Sequence, residues 1–163
     1  MKSVLAASLV ILGAVGPSAS AVTIRNWTGA SLTSGNWTTA ANWQGNVAPA
    51  AGDFLAFAPG GARRTSNTNN FPAGTIFFAI DFEDNDYRLR GNAITVTNGI
   101  TVAQNCGTNV VDLDVIVGPT GLALRTFGAT DMLIINGDIN LGSHTLSTTG
   151  PGDIHIGGPS DAS

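Results

Sequence analysis

The side chains of this chain that could hold a proton, a metal or a sugar are few and scattered. The densest acidic run is Asp81-Phe82-Glu83-Asp84-Asn85-Asp86, four carboxylates in six residues. Carboxylate oxygens at near-alternate positions suit a calcium ion, which makes Asp81, Glu83, Asp84 and Asp86 a candidate site. The run lacks the Gly and the distal Glu of an EF-hand loop, and no Gly-Gly-x-Gly-x-Asp repeat occurs. A solvated turn between strands at 76–80 and 87–90 is therefore the preferred reading, with no cofactor required. Asp112 and Asp114 flank Leu113. On a strand they share a face roughly 6.6 Å apart, near the spacing of an inverting glycosidase pair. With Arg125 they are the candidates for cleaving an acidic polysaccharide. Nothing nearby separates their two pKa values, however, and Arg88 and Arg90 alternate in the same way upstream. An outward ladder of Arg over Asp is expected instead, each exposed pair worth about 0 to 1 kcal/mol.

The remaining reactive residues give less. His144 and His155 have no neighbouring acid or cysteine cluster, so they do not read as a metal site. Cys106 is the one cysteine, which excludes an intrachain disulfide. With no His or Lys close in sequence to activate it, it reads as a small buried apolar residue. Neither a phosphate loop, a dinucleotide fingerprint nor a nucleophile elbow is present. Trp27, Trp37 and Trp43, each next to Asn, could stack against sugar rings or plug the end of a fold.

Composition limits the elements that can position these groups. The 163 residues include 21 Gly, 18 Thr and 14 Asn, but one Glu and one Lys. Helix formers are scarce and β-branched residues plentiful, which excludes a helical bundle or coiled coil. Charged residues make up 11%, against about 25% in average soluble proteins. The net charge of -4 argues against a nucleic-acid partner, which requires a basic face.

The first 21 residues are read as a targeting segment. Met1-Lys2 is followed by an apolar run from Val4 to Val15, then Gly16-Pro17 and the small residues Ala19-Ser20-Ala21. That is the layout of a secretory signal peptide, with cleavage expected after Ala21. The run is too short to cross a bilayer, and no later stretch in the mature chain does so either. The expected location is outside the cell or on its outer surface.

Beyond the leader the chain divides into a Trp/Asn-rich head with a polar loop (22–75), β-rich coils (76–158) and a short tail (159–163). In the coils, apolar residues recur as i, i+2 pairs: Ile94/Val96, Ile100/Val102, Leu113/Val115, Leu122/Leu124, Leu133/Ile135, Ile139/Leu141 and Ile154/Ile156. Mostly polar residues lie between the partners, the period-2 mark of strands with one buried face. Every second pair advances by roughly 20 residues (94, 113, 133, 154), the signature of a β-solenoid. The predicted fold is an all-β, right-handed parallel β-helix with an aromatic N-terminal cap. A β-sandwich is the alternative; very short strands and sparse hairpin dipeptides favour the solenoid.

Particular phrases carry a resemblance. Trp27-Thr28-Gly29, Gly35-Asn36-Trp37, Ala41-Asn42-Trp43, the Pro-Ala-Ala-Gly-Asp turn at 49–53 and Leu133-Ile134-Ile135-Asn136-Gly137-Asp138-Ile139 resemble bacterial autotransporter-associated β-strand repeat proteins. The similarity spans about Trp27 to Gly158. It implies the N-terminal part of a large exported surface protein with a β-helical passenger region. The family's many Gly-Thr-Leu-rich repeats and C-terminal barrel or anchor have no counterpart in these residues, which puts self-translocation in question. The functional expectation is a non-catalytic surface scaffold or adhesin with a glycan or cell-surface partner, self-associating through an open solenoid end. The alternative is a carbohydrate-binding or polysaccharide-cleaving β-helix.

Overall fold

The computed structural model describes residues 21–58 and 64–157. The expected leader, but for Ala21, and the expected tail lie outside these. The strands are β1 Ile24–Trp27, β2 Phe54–Phe57, β3 Ser66–Asn69, β4 Thr75–Phe82, β5 Arg88–Gly91, β6 Ile94–Val102, β7 Thr108–Val111, β8 Val115–Val117, β9 Leu122–Thr126, β10 Met132–Ile135, β11 Ile139–Asn140, β12 Leu146–Thr149 and β13 Asp153–Ile156. All strand pairs among them are parallel. Parallel pairing throughout excludes the sandwich, whose hairpins pair antiparallel. The chain winds instead into a β-solenoid of about 4 turns, with 46% strand and almost no helix among the described residues.

Each coil contributes to two sheets. One sheet runs β1-β2-β4-β6-β8-β11, with β9 beside β6 and β12 beside β9; the other runs β13-β10-β7-β5-β3. The long strand β6 serves two positions, pairing β8 through Ile94–Val96 and β9 through Gly99–Val102. A full coil therefore has three strand positions, joined by corners.

This arrangement corrects two details of the sequence reading. The true register sets Ile94 against Val115, and Leu133 against Asn109 and Ile154. The series 94, 113, 133, 154 hops between sheets, because all three strand positions carry the same i, i+2 pattern. The polar stretch read as a loop contains β3, whose Asn67 and Asn69 are buried. A strand this polar is stable because its inward amides have partners: Asn67 accepts from the Trp37 indole at 2.6 Å, and Asn69 donates to the Asn92 carbonyl at 2.7 Å. With β1, β2 and β3 all in the ladders, the Trp-rich head is continuous with the coils.

The core consists of stacked rungs. One inward line runs Trp27, Phe57, Phe82, Val102, Thr126, and another Leu55, Ile80, Ile100, Leu124. The second sheet adds Leu89, Val111 and Ile135. Apart from Thr126 these are buried hydrophobic side chains, each contributing about 1.5 to 3 kcal/mol relative to exposure. Along the first line the side chains taper from Trp27 and the two phenylalanines to Val102 and Thr126. In the last described coil Leu146 and Ile154 are half-buried and Ile156 is exposed.

Backbone demands at the corners select particular residues. Gly91 has φ 107°, and a Cβ there would run into the Asn69 carbonyl of the preceding coil. Asp131, 1% exposed, accepts from the Asn105 and Gly107 amides at 3.2 and 3.0 Å, tying adjacent corners together. Trp37→Ala removes the largest side chain from the first coil and leaves the Asn67 amide without its donor. Its expected cost is about 3 to 5 kcal/mol, read from equilibrium urea unfolding; an unchanged midpoint would contradict this packing.

Candidate functional site

The three tryptophans do not form a sugar platform. Their exposures are 1%, 0% and 1% for Trp27, Trp37 and Trp43, so no indole face is open to a ligand. Each ring nitrogen is satisfied: Trp27 donates to the Arg64 carbonyl at 3.0 Å, Trp37 to Asn67, and Trp43 to the Trp37 carbonyl at 2.7 Å. Trp27 and Trp43 meet edge to face at 5.0 Å, and all three pack on Phe57. Asn42, wholly buried, holds the loop above them by accepting from the Ser31 amide and donating to the Ser34 and Asn36 carbonyls. These aromatic residues close the first coil, and the ligand role considered for them falls away.

The acidic run straddles the end of β4 and the corner that follows it. Asp81 lies on β4 opposite Ala56 and Thr101, while Asp86 occupies a corner with φ 63°. Among the described residues no three His, Cys, Asp or Glu side chains converge to hold a metal. Asp81, Glu83, Asp84 and Asp86 therefore do not form a cation site, although Glu83 lies near enough for its charge to act on Asp81. Asp81 is nevertheless unusual: its Oδ1 is buried without a hydrogen-bond partner. Burial, and then the Glu83 charge, push its carboxyl up to about 6. Burial and the Asp84 and Glu83 charges also push up the Tyr87 phenol, which donates to the Ala58 carbonyl at 2.9 Å.

Asp112 sits in the expected ladder. It receives a bidentate pair from Arg88, a 3.3 Å contact from Arg90 and a 2.9 Å hydrogen bond from Asn136 one coil on. Burial raises its carboxyl, but these donors outweigh burial and hold it below the usual range. Asp114 accepts from the Asp138 amide at 2.9 Å. Both aspartates lie at the corner between β7 and β8, whereas Arg125 lies on β9 and makes no hydrogen bond or ion pair with either among the described residues. Cys106 is 5% exposed, and burial followed by the Asp131 charge pushes its thiol up to about 11, which suits packing and not nucleophilic attack.

One hollow collects polar side chains. It measures about 230 Å³ and is lined by Asn98, Thr120, Gly121, Leu122, Ala123, Arg125, Thr145 and Ser147 from three successive coils. Thr120 donates to the Thr97 carbonyl, while the side chains of Asn98, Arg125, Thr145 and Ser147 make no hydrogen bond among the described residues. A second hollow, against Ala21 and Val22, holds Arg25 and Asp53, which close on each other at 2.9 Å. Sequence reasoning picked out Arg125 but missed Asn98, Thr145 and Ser147, since only the coil register brings residues more than 20 positions apart onto one face.

The raised Asp81 carboxyl has a measurable consequence. The folded chain holds this proton more tightly than the unfolded chain, so its stabilising effect is full below the ordinary value of 3.8 and is lost as pH rises through about 6. Asp112 acts in the opposite sense, its contribution disappearing only in stronger acid. Asp81→Asn should raise the melting temperature at neutral pH and flatten its decline between about pH 4 and pH 7. A variant no more stable than the parent at neutral pH would contradict the buried, unpaired carboxyl.

No protein-family model, no curated protein and no solved structure matches this chain.

Proposed function

We propose that this chain is the N-terminal portion of an exported β-solenoid protein of the bacterial cell surface, of the autotransporter-associated repeat kind, which acts as a non-catalytic scaffold or adhesin. The observation that carries this reading is the disposition of the charged groups. Along regular coils the Arg88, Arg90, Asp112 and Asn136 side chains pair into a ladder, and among the described residues no three His, Cys, Asp or Glu side chains converge to hold a metal. Catalysis by this fold would require a convergence of reactive groups. Export rests on the Met1–Ala21 leader pattern. The half-buried Leu146 and Ile154 and the exposed Ile156 of the last described coil occupy positions that are fully covered one coil earlier, which supports self-association through that end.

A carbohydrate-binding variant of this reading is favoured by one feature alone, the polar hollow at Arg125. Expression of the whole chain in a Gram-negative host tests the proposal. The expected product is an extracytoplasmic polypeptide beginning at Val22 by mass spectrometry. Its mass by light scattering should rise with concentration, and it should release no reducing ends or unsaturated uronates from acidic polysaccharides. Cytoplasmic retention with an intact N-terminus would overturn export, a constant monomer mass would overturn self-association, and catalytic release lost on Asp112→Asn would overturn the scaffold reading.

A further inference from the structure

We infer that the hollow at Arg125 is a binding site for an acidic saccharide, with the guanidinium holding one sugar carboxylate and the surrounding hydroxyls and amide engaging the ring. Among the described residues Arg125 stands apart from the other arginines. Arg25 pairs with Asp53, Arg88 and Arg90 with Asp112, and Arg64 donates to the Ser31 and Leu32 carbonyls. Arg125 has no such partner. A half-buried, unpaired guanidinium retains its five donors for a ligand, and its planar fork matches a carboxylate.

The backbone beneath makes room for this. Gly99 lies directly across the ladder from Ala123, and a Cβ at Gly99 would come within 2.9 Å of Arg125 Nη1 and 2.6 Å of the Ala123 carbonyl oxygen. The absent side chain thus lets the guanidinium lie against the strand. Around it, Asn98, Thr145 and Ser147 come from the coils on either side, their side chains free of hydrogen bonds within the described residues. Successive coils stand about 4.8 Å apart, comparable with the length of one pyranose ring, so polar groups repeat along the axis as hydroxyls do along a sugar chain.

Charge narrows the ligand class. The hollow contains one cation, Arg125, and Asp81 lies two rungs away on the same outward line through Thr101. With a single cation in the hollow and a net charge of -4 on the chain, the site suits the planar carboxylate of one uronic-acid residue, which matches the guanidinium fork, with the sugar hydroxyls meeting the polar lining. The lining is otherwise polar, with Leu122 and Ala123 as its only larger apolar members, which suits hydroxyl-rich ligands over lipids or apolar peptides. This goes beyond the scaffold reading and is tested separately from it, since binding is measured on purified chain and export in cells.

The test titrates the whole chain with an oligogalacturonate, its fully methyl-esterified form and inorganic sulfate, following binding by calorimetry at low and high salt. The uronate should bind, more weakly at high salt, while the neutral ester binds at least tenfold less tightly. Arg125→Gln should weaken uronate binding roughly tenfold or more with little change in melting temperature, as no hydrogen bond or ion pair among the described residues rests on this side chain. Arg125→Lys should fall between the two, because it keeps the charge and loses the fork. Equal binding of the ester, equal binding by Arg125→Gln, sulfate as effective as uronate, or no uronate binding by the parent chain would each overturn the site.

Discussion

In a parallel solenoid every internal strand has its backbone donors and acceptors met by the coils on either side, but the first coil has a neighbour on one side alone. Its apolar interior would face water unless something large covers it. Trp27, Trp37 and Trp43 do so here, and their burial works because each indole N–H has an acceptor, two of them backbone carbonyls and one the Asn67 amide. An unsatisfied indole N–H would cost about 1 to 3 kcal/mol, a sizeable share of what burying its ring contributes, so the polar contacts strengthen the cap. Asn42 completes the arrangement by using its amide three times on the loop overhead.

Once that end is sealed, the register propagates. Phe57 against Phe82, then Val102, and Leu55 against Ile80, Ile100 and Leu124 repeat one packing problem coil after coil. Outward positions inherit the same register, which is why Arg90, Asp112 and Asn136 fall in line, with Arg88 reaching Asp112 diagonally, and why Asn98, Arg125 and Ser147 meet. The surface chemistry follows from the stacking of the core. Regular ladders neutralise one another, and Arg125 is the place where the pattern leaves a cation unanswered.

Much of the architecture was legible from alternation. Pairs such as Ile94/Val96 and Ile100/Val102 announce strands with one buried face, and their spacing announces coils. Alternation could not say which pairs stack, because each coil repeats the same motif three times, so Leu113 at a corner passed for a rung. β3 escaped notice because Ser66-Asn67-Thr68-Asn69 has no apolar residue; its inward face is made of amides, and their partners lie 23 to 30 residues away in sequence. The tryptophans drew attention for the right reason, their size, but residue type alone does not distinguish a ring that meets sugar from one that meets phenylalanine. The calcium reading of Asp81 to Asp86 finds no support because only Asp81 lies on a strand and the other three carboxylates follow the corner after it, where no three ligands gather to hold a metal among the described residues.

Native-state hydrogen exchange tests the central claim, that the aromatic cap anchors the solenoid from its N-terminal end. Amides of β1, β2 and β4, beneath the tryptophans, should exchange at rates set by global unfolding, with protection falling coil by coil towards β12 and β13. If the amides of β1 and β2 exchange as fast as those of β12 and β13 while the middle coils stay protected, the cap is a loosely attached flap, and the account built on it is wrong.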